Sequence, residues 1–418
     1  MGISSALYSA ISGLQSNSQA MTVTGNNISN SNTIGFKTSS TVFSDLLSAS
    51  IASSGGNSQV GRGSQVQTVQ TNFSQGGFQS SSSSTDIAIV GSGLFIVSNP
   101  SDATDLYTRN GSFTFNDSGY LVNADGYRVQ GSTYSSGGLL NSGSLSDIQV
   151  DRVSQIPAKQ TANVTLQTNL DSNSSILGTF DLTNPTSTSN YSTTTTLYDS
   201  LGTSHLATCY FTKTAGNAWD WNLTVDSADL GGTAGALTNI GTGSLTFDAN
   251  GTLASGATGT TSTLAWVDGA DPAQVVTYNF EPTQFNSTST VFSQDQDGYT
   301  SGQVTDVAVD TDGKVSAVYS NGETIAVGKI ALATFADTNG LEKKGSSLFE
   351  ATRESGTPTI GYPGASQGTL TTKSLELSNV DLATEMVNLI TIQNGYSANS
   401  KVITTANQML QELINLKQ

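Results

Sequence analysis

Charge is what this chain has least of. Of its 418 residues, 11% are Asp, Glu, Lys or Arg, against about 25% in ordinary soluble proteins. Fifteen basic residues face 32 acidic ones, a net charge of -17, and no Lys/Arg cluster exists. A nucleic-acid partner is therefore excluded. There is one histidine, His205, and one cysteine, Cys209. A zinc site of the Cys/His type needs three or four such ligands and cannot be built, so no metal and no other cofactor is expected. A lone cysteine also excludes a disulfide within the chain. No apolar run approaches the ~18 residues of a transmembrane helix, so membrane insertion is not expected. The N-terminus lacks a basic region followed by an apolar core, and no cleavable secretory signal is expected. Met1-Gly2 is not a myristoylation start, because Ala6 stands where that motif needs Ser or Thr.

The deficit is total at one place. No side chain from Met1 to Phe36 is charged, and Lys37 is the first. Yet this stretch has helix periodicity. Steps of four and three from Ile3 reach Leu7, Ala10, Leu14, Asn17, Met21, Thr24 and Ile28, the spacing of a coiled-coil seam, and Ile11 widens the stripe. The Asn-rich run from Gly25 to Asn32 predicts the end of the helix. The C-terminus repeats the pattern. From Leu382 the same steps give Met386, Leu389, Gln393, Tyr396, Ser400, Ile403, Asn407, Leu410 and Ile414, with Val387, Ile390 and Leu413 flanking. Ser378 and Asp381 suggest a capping box before a helix over about 381–416.

The chain between these helices reads as β. Short alternating runs at 86–97, 107–122 and 304–335 are separated by turn pairs such as Asp125-Gly126, Asp312-Gly313 and Asn321-Gly322. The middle, about 148–299, has a different texture. It predicts strands at 161–168, 193–198, 206–213, 219–225, 244–248 and 274–280, with Gly- and Thr-rich loops at 231–243 and 255–263. The Ser/Gly-rich stretches 48–58 and 79–84 read as loops or connectors. The fold class is mainly β with α-helical termini, and one β-rich domain is inserted in another.

A helix without charges on any face suits burial among other helices, because neutral hydroxyls and amides can be hydrogen-bonded where unpaired charges cost several kcal/mol. That points to a subunit of an assembly. Here the residues resemble a known family. Ser9-Ala-Ile-Ser-Gly-Leu14, Asn26-Asn-Ile-Ser-Asn30 and Thr33-Ile-Gly-Phe-Lys37 look like the N-terminal signature of the flagellar rod and hook proteins. Gly93-Leu-Phe-Ile-Val97, Tyr107-Thr-Arg-Asn-Gly-Ser-Phe113 and Leu375-Glu-Leu-Ser-Asn-Val-Asp-Leu382, followed by Met386-Val-Asn-Leu-Ile390, are similar to further motifs of that family. These matches cover about half the chain. Its length, the middle insertion and Asp297-Gly-Tyr-Thr-Ser-Gly302 resemble the hook branch. The long 45–60 segment is also a feature of the distal rod relative, where extra contacts stiffen the tube, and rod is the alternative.

The resemblance implies a non-enzymatic structural subunit, found outside the cell in the flagellum, that polymerises with itself into an open helical tube. The hook branch acts as a flexible universal joint passing motor torque to the filament. Implied partners are the distal rod, the hook cap, the hook–filament junction proteins and the flagellar type III export apparatus. It also implies that 1–32 and 380–418 form the inner tube, 33–70 and 365–379 a connector, 71–147 and 300–364 a β domain, and 148–299 an inserted outer β domain. The assembly residues are then Ile3, Leu7, Ile11, Leu14, Met21, Ile28, Leu382, Met386, Leu389, Tyr396, Ile403, Leu410, Leu413 and Ile414. Asn26, Asn27, Asn30, Gly35 and Phe36 lie at the end of the first helix and in its connector.

Other chemistry is thin. His205 reads as a surface or strand histidine and Cys209 as a small buried hydrophobe. Asp295-Gln-Asp297-Gly298 and Asp310-Thr-Asp312-Gly313 lack the later ligands of a calcium loop and read as turns. A rival from another class is a secreted β-rich adhesin that uses Trp219 and Trp221 as ligand contacts.

Overall fold

A computed structural model describes the chain except residues 1, 48, 54–55, 136–138, 142–143, 152–154, 365–366 and 416–418, and except the side chains of 2–3, 49–53 and 56–60. The side chain of Ile3, the last residue of the expected second helix and parts of the 45–60 segment thus lie outside the described residues. The architecture is mainly β, with a helix at each end: α1 (Gly2–Ser29) and α2 (Leu382–Asn415). The chain divides into two compact units, one of residues 1–151, 306–317 and 325–418, the other of 152–305 and 318–324.

In the first unit α1 and α2 pack antiparallel. A β-carbon on Gly13 would stand 2.6 Å from Nδ2 of Asn399, and one on Gly395 would stand 3.2 Å from Oδ1 of Asn17. α1 ends inside the Asn-rich run. α2 is preceded by Asp381, whose carboxylate accepts from the N–H groups of Ala383 (3.0 Å) and Thr384 (3.4 Å). The cap is therefore Asp381 itself. Ser378 instead accepts from Val380 N, so the expected capping box is corrected to a single-residue cap.

After α1 come β1 (Ser39–Asp45), β2 (Ala49–Ser53), β3 (Gly56–Val60) and β4 (Ser64–Thr71). β1 pairs antiparallel with β4, and β2 with β3. The stretch read as a loop is thus a hairpin, because backbone pairing outweighs a Ser/Gly-rich composition. The β1–β4 pair lies against α1: Ser16 donates to Ser64 O and Ser64 N donates to Ser12 Oγ. α1 therefore has α2 along one side and β4 along another, and its buried positions are small or polar: Ala10, Ser16, Ala20, Thr24 and Asn27.

The outgoing and returning chains are also paired. Phe78–Ser80 pairs with Ser374–Glu376, and Ile87–Val90 with Thr369–Thr372. The largest sheet has thirteen strands among the described residues, with Arg128–Thr133, Leu94–Ser98 and Asp105–Thr108 adjacent in its middle. The second unit holds a five-stranded sheet, which includes Ser204–Ala215 and Ala218–Asp226, and a four-stranded one. Their residues share one apolar core that contains Trp219, Trp221, Phe211, Tyr278 and Phe280. The expected loop 231–243 is corrected: Leu237–Phe247 is a strand, held by pairing along Ala218–Asp226.

Candidate functional site

The signature motifs meet at one point of the first unit. Gly35 has φ +67°, a left-handed conformation that L side chains resist. It lies so close to the second motif that a β-carbon there would be 2.6 Å from Asn110 N. Its own N–H donates to Glu376 O at 2.8 Å. Two residues on, Lys37 Nζ is 2.7 Å from Glu376 Oε1 and also donates to Ser74 O at 2.6 Å. Arg109 Nε is 2.6 Å from the other carboxylate oxygen. Its Nη2 donates to Ile89 O and Gly91 O, and its Nη1 to Gly93 O. Gly76 N adds a third donor to the carboxylate. The Lys37 and Glu376 side chains have no exposure, and that of Arg109 has 5%.

Burial pushes the Glu376 carboxyl up, but Arg109, Lys37 and the Gly76 N–H outweigh it and hold the group below its ordinary range. Burial lowers Lys37, and Glu376 only partly opposes that. With two cations on one carboxylate, the charged carboxylate is the state the geometry supports.

Polar caps extend the junction. Asn27, 1% exposed, donates from Nδ2 to Ser39 O and accepts from Ser39 N. Asn379 Oδ1 accepts from Thr38 N, and its Nδ2 donates to Asn72 O. Asn30 is half-buried and donates to Asn26, which is exposed. Phe36 is half-buried, with Lys343 Nζ 5.7 Å above its ring. Lys37, Arg109 and Glu376 all stand in quoted motifs, yet sequence reasoning gave them no role. The signal was there in Lys37, the first charge of the chain.

The helix seam differs from expectation. Leu7, Leu14, Met21 and Ile28 are half-buried on α1, while Ile11 is exposed. On α2 only Leu389 and Ile403 of the expected assembly residues are half-buried; Leu382, Met386, Tyr396, Leu410, Leu413 and Ile414 are exposed. The least exposed α2 positions are Glu385, Leu389, Ile392, Gly395, Asn399, Ile403 and Ala406. Five of these sit one residue away from the stepped positions. Small residues let the two backbones approach, so the contact face follows them rather than the large apolar side chains.

One further reading is corrected. Trp219 and Trp221 are 0% and 2% exposed and cannot serve as surface contacts. His205, expected on the surface or in a strand, stands in a strand and is 7% exposed. Cys209 is buried, and burial pushes its thiol up, which leaves it unreactive. The turn at Asp310–Gly313 holds, with Asp310 accepting from Asp312 N and Lys314 N; the turn expected at Asp295–Gly298 is corrected to the end of the strand Thr290–Gln296, with Asp297 accepting from Ala162 N and Asn163 N.

Comparison with known proteins decides the family. The chain is 33% identical over 418 residues to the flagellar hook protein FlgE of Escherichia coli (strain K12), with 99% of this chain and 100% of the relative covered. The chain belongs to the flagellar hook protein family. A second hook relative, FlgE of Borreliella burgdorferi, is 35% identical over 448 residues, covering 98% of this chain and 99% of its own. Family models match in order along the chain: flagella basal body rod protein at 7–37, flagellar hook protein FlgE/F/G D1 domain at 88–169, flagellar basal body protein FlaE D2 domain at 167–299, and flagellar basal body rod FlgEFG protein C-terminal at 371–416. The crystal structure of Helicobacter pylori flagellar hook protein FlgE2 shares the fold, with TM-score 0.52 and 17% identity over 71% of this chain and 100% of that one. This hook subunit is structural and non-enzymatic, belongs to the extracellular part of the flagellum, and polymerises with itself.

Proposed function

We propose that the terminal helices, 1–32 and 380–418, are the inner-tube element of an open helical homopolymer, and that the polymer passes motor torque to the filament as a flexible joint. One observation carries this reading. α2 leaves Leu382, Met386, Val387, Ile390, Tyr396, Met409, Leu410, Leu413 and Ile414 exposed along a helix of 34 residues. An apolar face of that length on a soluble subunit marks a protein contact. Copies of the same chain are the natural cover, since α1 already meets the other side of α2, along Leu389, Ile392, Gly395, Asn399, Ile403 and Ala406. Segments 33–70 and 365–379 then connect this element to a β domain of 71–147 and 300–364, with 148–299 as the inserted β domain. The buried Lys37–Glu376–Arg109 junction supports a stiff attachment of the helices to the β block. In the same reading the polymer meets the distal rod, the hook cap and the hook–filament junction proteins, and the chain leaves the cell through the flagellar type III export apparatus.

The test compares two substitutions. Leu413→Asp, at a position 55% exposed, is expected to leave thermal unfolding of the subunit unchanged and to abolish pelleting of polymer. Leu389→Asp, at the seam, is expected to lower both. Unchanged polymer yield in Leu413→Asp overturns the inner-tube role.

A further inference from the structure

One cluster of ionisable groups lies apart from the junction, inside the second unit. His205 is held by its ring face: it stacks on Trp266 with centroids 3.8 Å and planes 5° apart. Trp266 is itself fixed by a 2.6 Å hydrogen bond from Nε1 to Gln274 Oε1. Both ring edges of the histidine then face carboxylates. Nδ1 is 3.3 Å from Asp229 Oδ2, and Nε2 is 3.4 Å from Asp199 Oδ2.

Asp199 is fully buried. Its Oδ1 is committed to Leu201 N at 2.8 Å and Thr203 N at 2.9 Å, which turns Oδ2 to the imidazole. A third carboxylate, the exposed Asp268, completes the group. One ligand atom each from Asp199, His205 and Asp268 lies within 4.8 Å of the others.

Three carboxylates around one imidazole call for a positive charge. A proton on the ring is one source and a divalent cation is the other. The distances favour the cation. The 3.4 Å from Nε2 to Asp199 Oδ2 is longer than the usual N–H···O range of about 2.7–3.2 Å. It matches the separation of two ligands on one zinc ion: with bonds of about 2.1 Å, the edge of a tetrahedron is about 3.4 Å. The carboxylate at Nδ1 supplies the second half of the pattern. A metal-bound histidine gives its other N–H to a carboxylate, which fixes the tautomer and aims the free lone pair. Here that places the lone pair on Nε2, on the side of Asp199.

We propose that Asp199, His205 and Asp268 bind a divalent ion of the zinc class, with Asp229 orienting the histidine. A nitrogen donor beside two carboxylates suits zinc rather than calcium or magnesium, whose sites are built from oxygen. The ion braces the loop 199–203, the start of the strand at Ser204 and the turn at 266–270. Asp268 is exposed, so the ion has access from solvent, and the remaining ligand positions fall to water. No cysteine is needed, and a Cys/His inventory of the sequence passes such a site by.

The experiment uses the full chain stripped with a chelator and titrated with zinc sulfate, with calcium and magnesium chlorides in parallel. Binding is read by calorimetry and by tryptophan fluorescence, since Trp266 stacks directly on the ligand. The expected result is saturable zinc binding at one equivalent and no response to calcium or magnesium. Asp268→Asn is expected to weaken zinc binding about tenfold or more, with the thermal midpoint of the stripped chain unchanged. His205→Gln is expected to abolish binding; should that variant not fold, Asp268→Asn alone decides. No saturable zinc binding, or equal affinity in Asp268→Asn, overturns the proposal.

Discussion

Lys37 Nζ lies 2.7 Å from Glu376 Oε1, a carboxylate 339 residues further along the chain, and neither side chain meets solvent. With Arg109 on the other oxygen, one carboxylate neutralises two buried cations. The three partners are therefore unequal. Glu376→Gln strands two charges, and breaking a buried pair in this way costs about 3–5 kcal/mol. Lys37→Met leaves the Arg109–Glu376 pair in place and is expected to cost less. Urea unfolding of the two variants orders them, and a larger loss in Lys37→Met would contradict the shared-carboxylate geometry. The same carboxylate sets an acid limb. Its folded pKa lies below that of an unfolded glutamate, about 4.3, so the unfolded state takes up the proton first. The stabilisation is complete above that value and is lost as pH falls through the lower, folded one. Thermal midpoints between pH 2 and 6 are expected to fall less steeply in Glu376→Gln than in the parent.

Asn27 closes the turn from α1 into β1 by pairing both polar backbone groups of Ser39, at 2.8 and 3.0 Å. Ala at this buried position removes both bonds and leaves Ser39 without that partner. The expected loss is about 1–3 kcal/mol. Amide exchange at Ser39 is the sharper measurement. It is expected to accelerate in Asn27→Ala, and unaltered protection would show that the clamp is not what holds β1 to the helix.

These two sites show where sequence legibility stops. Asn27 and Gly35 were readable as members of motifs, and the hairpin turns at Asp312-Gly313 and Asn321-Gly322 were readable from local chemistry, because a turn is decided by adjacent residues. Lys37 was readable as the first charge. Its partner was not, because pairing over 339 positions leaves no periodic trace. The first part of the strand Leu237–Phe247, residues 237–243, was hidden for a related reason: its Gly and Thr content reads as loop, and its conformation comes from the neighbouring strand. The helices were legible as helices, but their contact face was not. A search for large apolar residues finds the exposed side of α2 and passes over Gly395, Asn399 and Ala406. The histidine cluster escaped for want of spacing: Asp199 and His205 are close in sequence, while Asp229 and Asp268 arrive from other segments.

The helix pair offers its own test. Gly13 accommodates Asn399, and Gly395 accommodates Asn17. Each asparagine also donates to the carbonyl of the glycine four residues before it: Asn17 to Gly13 at 2.8 Å and Asn399 to Gly395 at 3.0 Å. Two Gly-x-x-x-Asn units thus interlock. In an open helix interior, Gly→Ala gains about 1 kcal/mol. At Gly13 the new methyl meets Asn399 at 2.6 Å, so that gain is expected to vanish or reverse. Asn399→Ala removes the obstacle, and Gly13→Ala in that background is expected to stabilise. A double-mutant cycle on the thermal unfolding free energy is expected to give a coupling of about 0.5–3 kcal/mol, as for residues in contact. Additive effects would mean that the helices do not meet at this pair, and the antiparallel register given for α1 and α2 would be wrong.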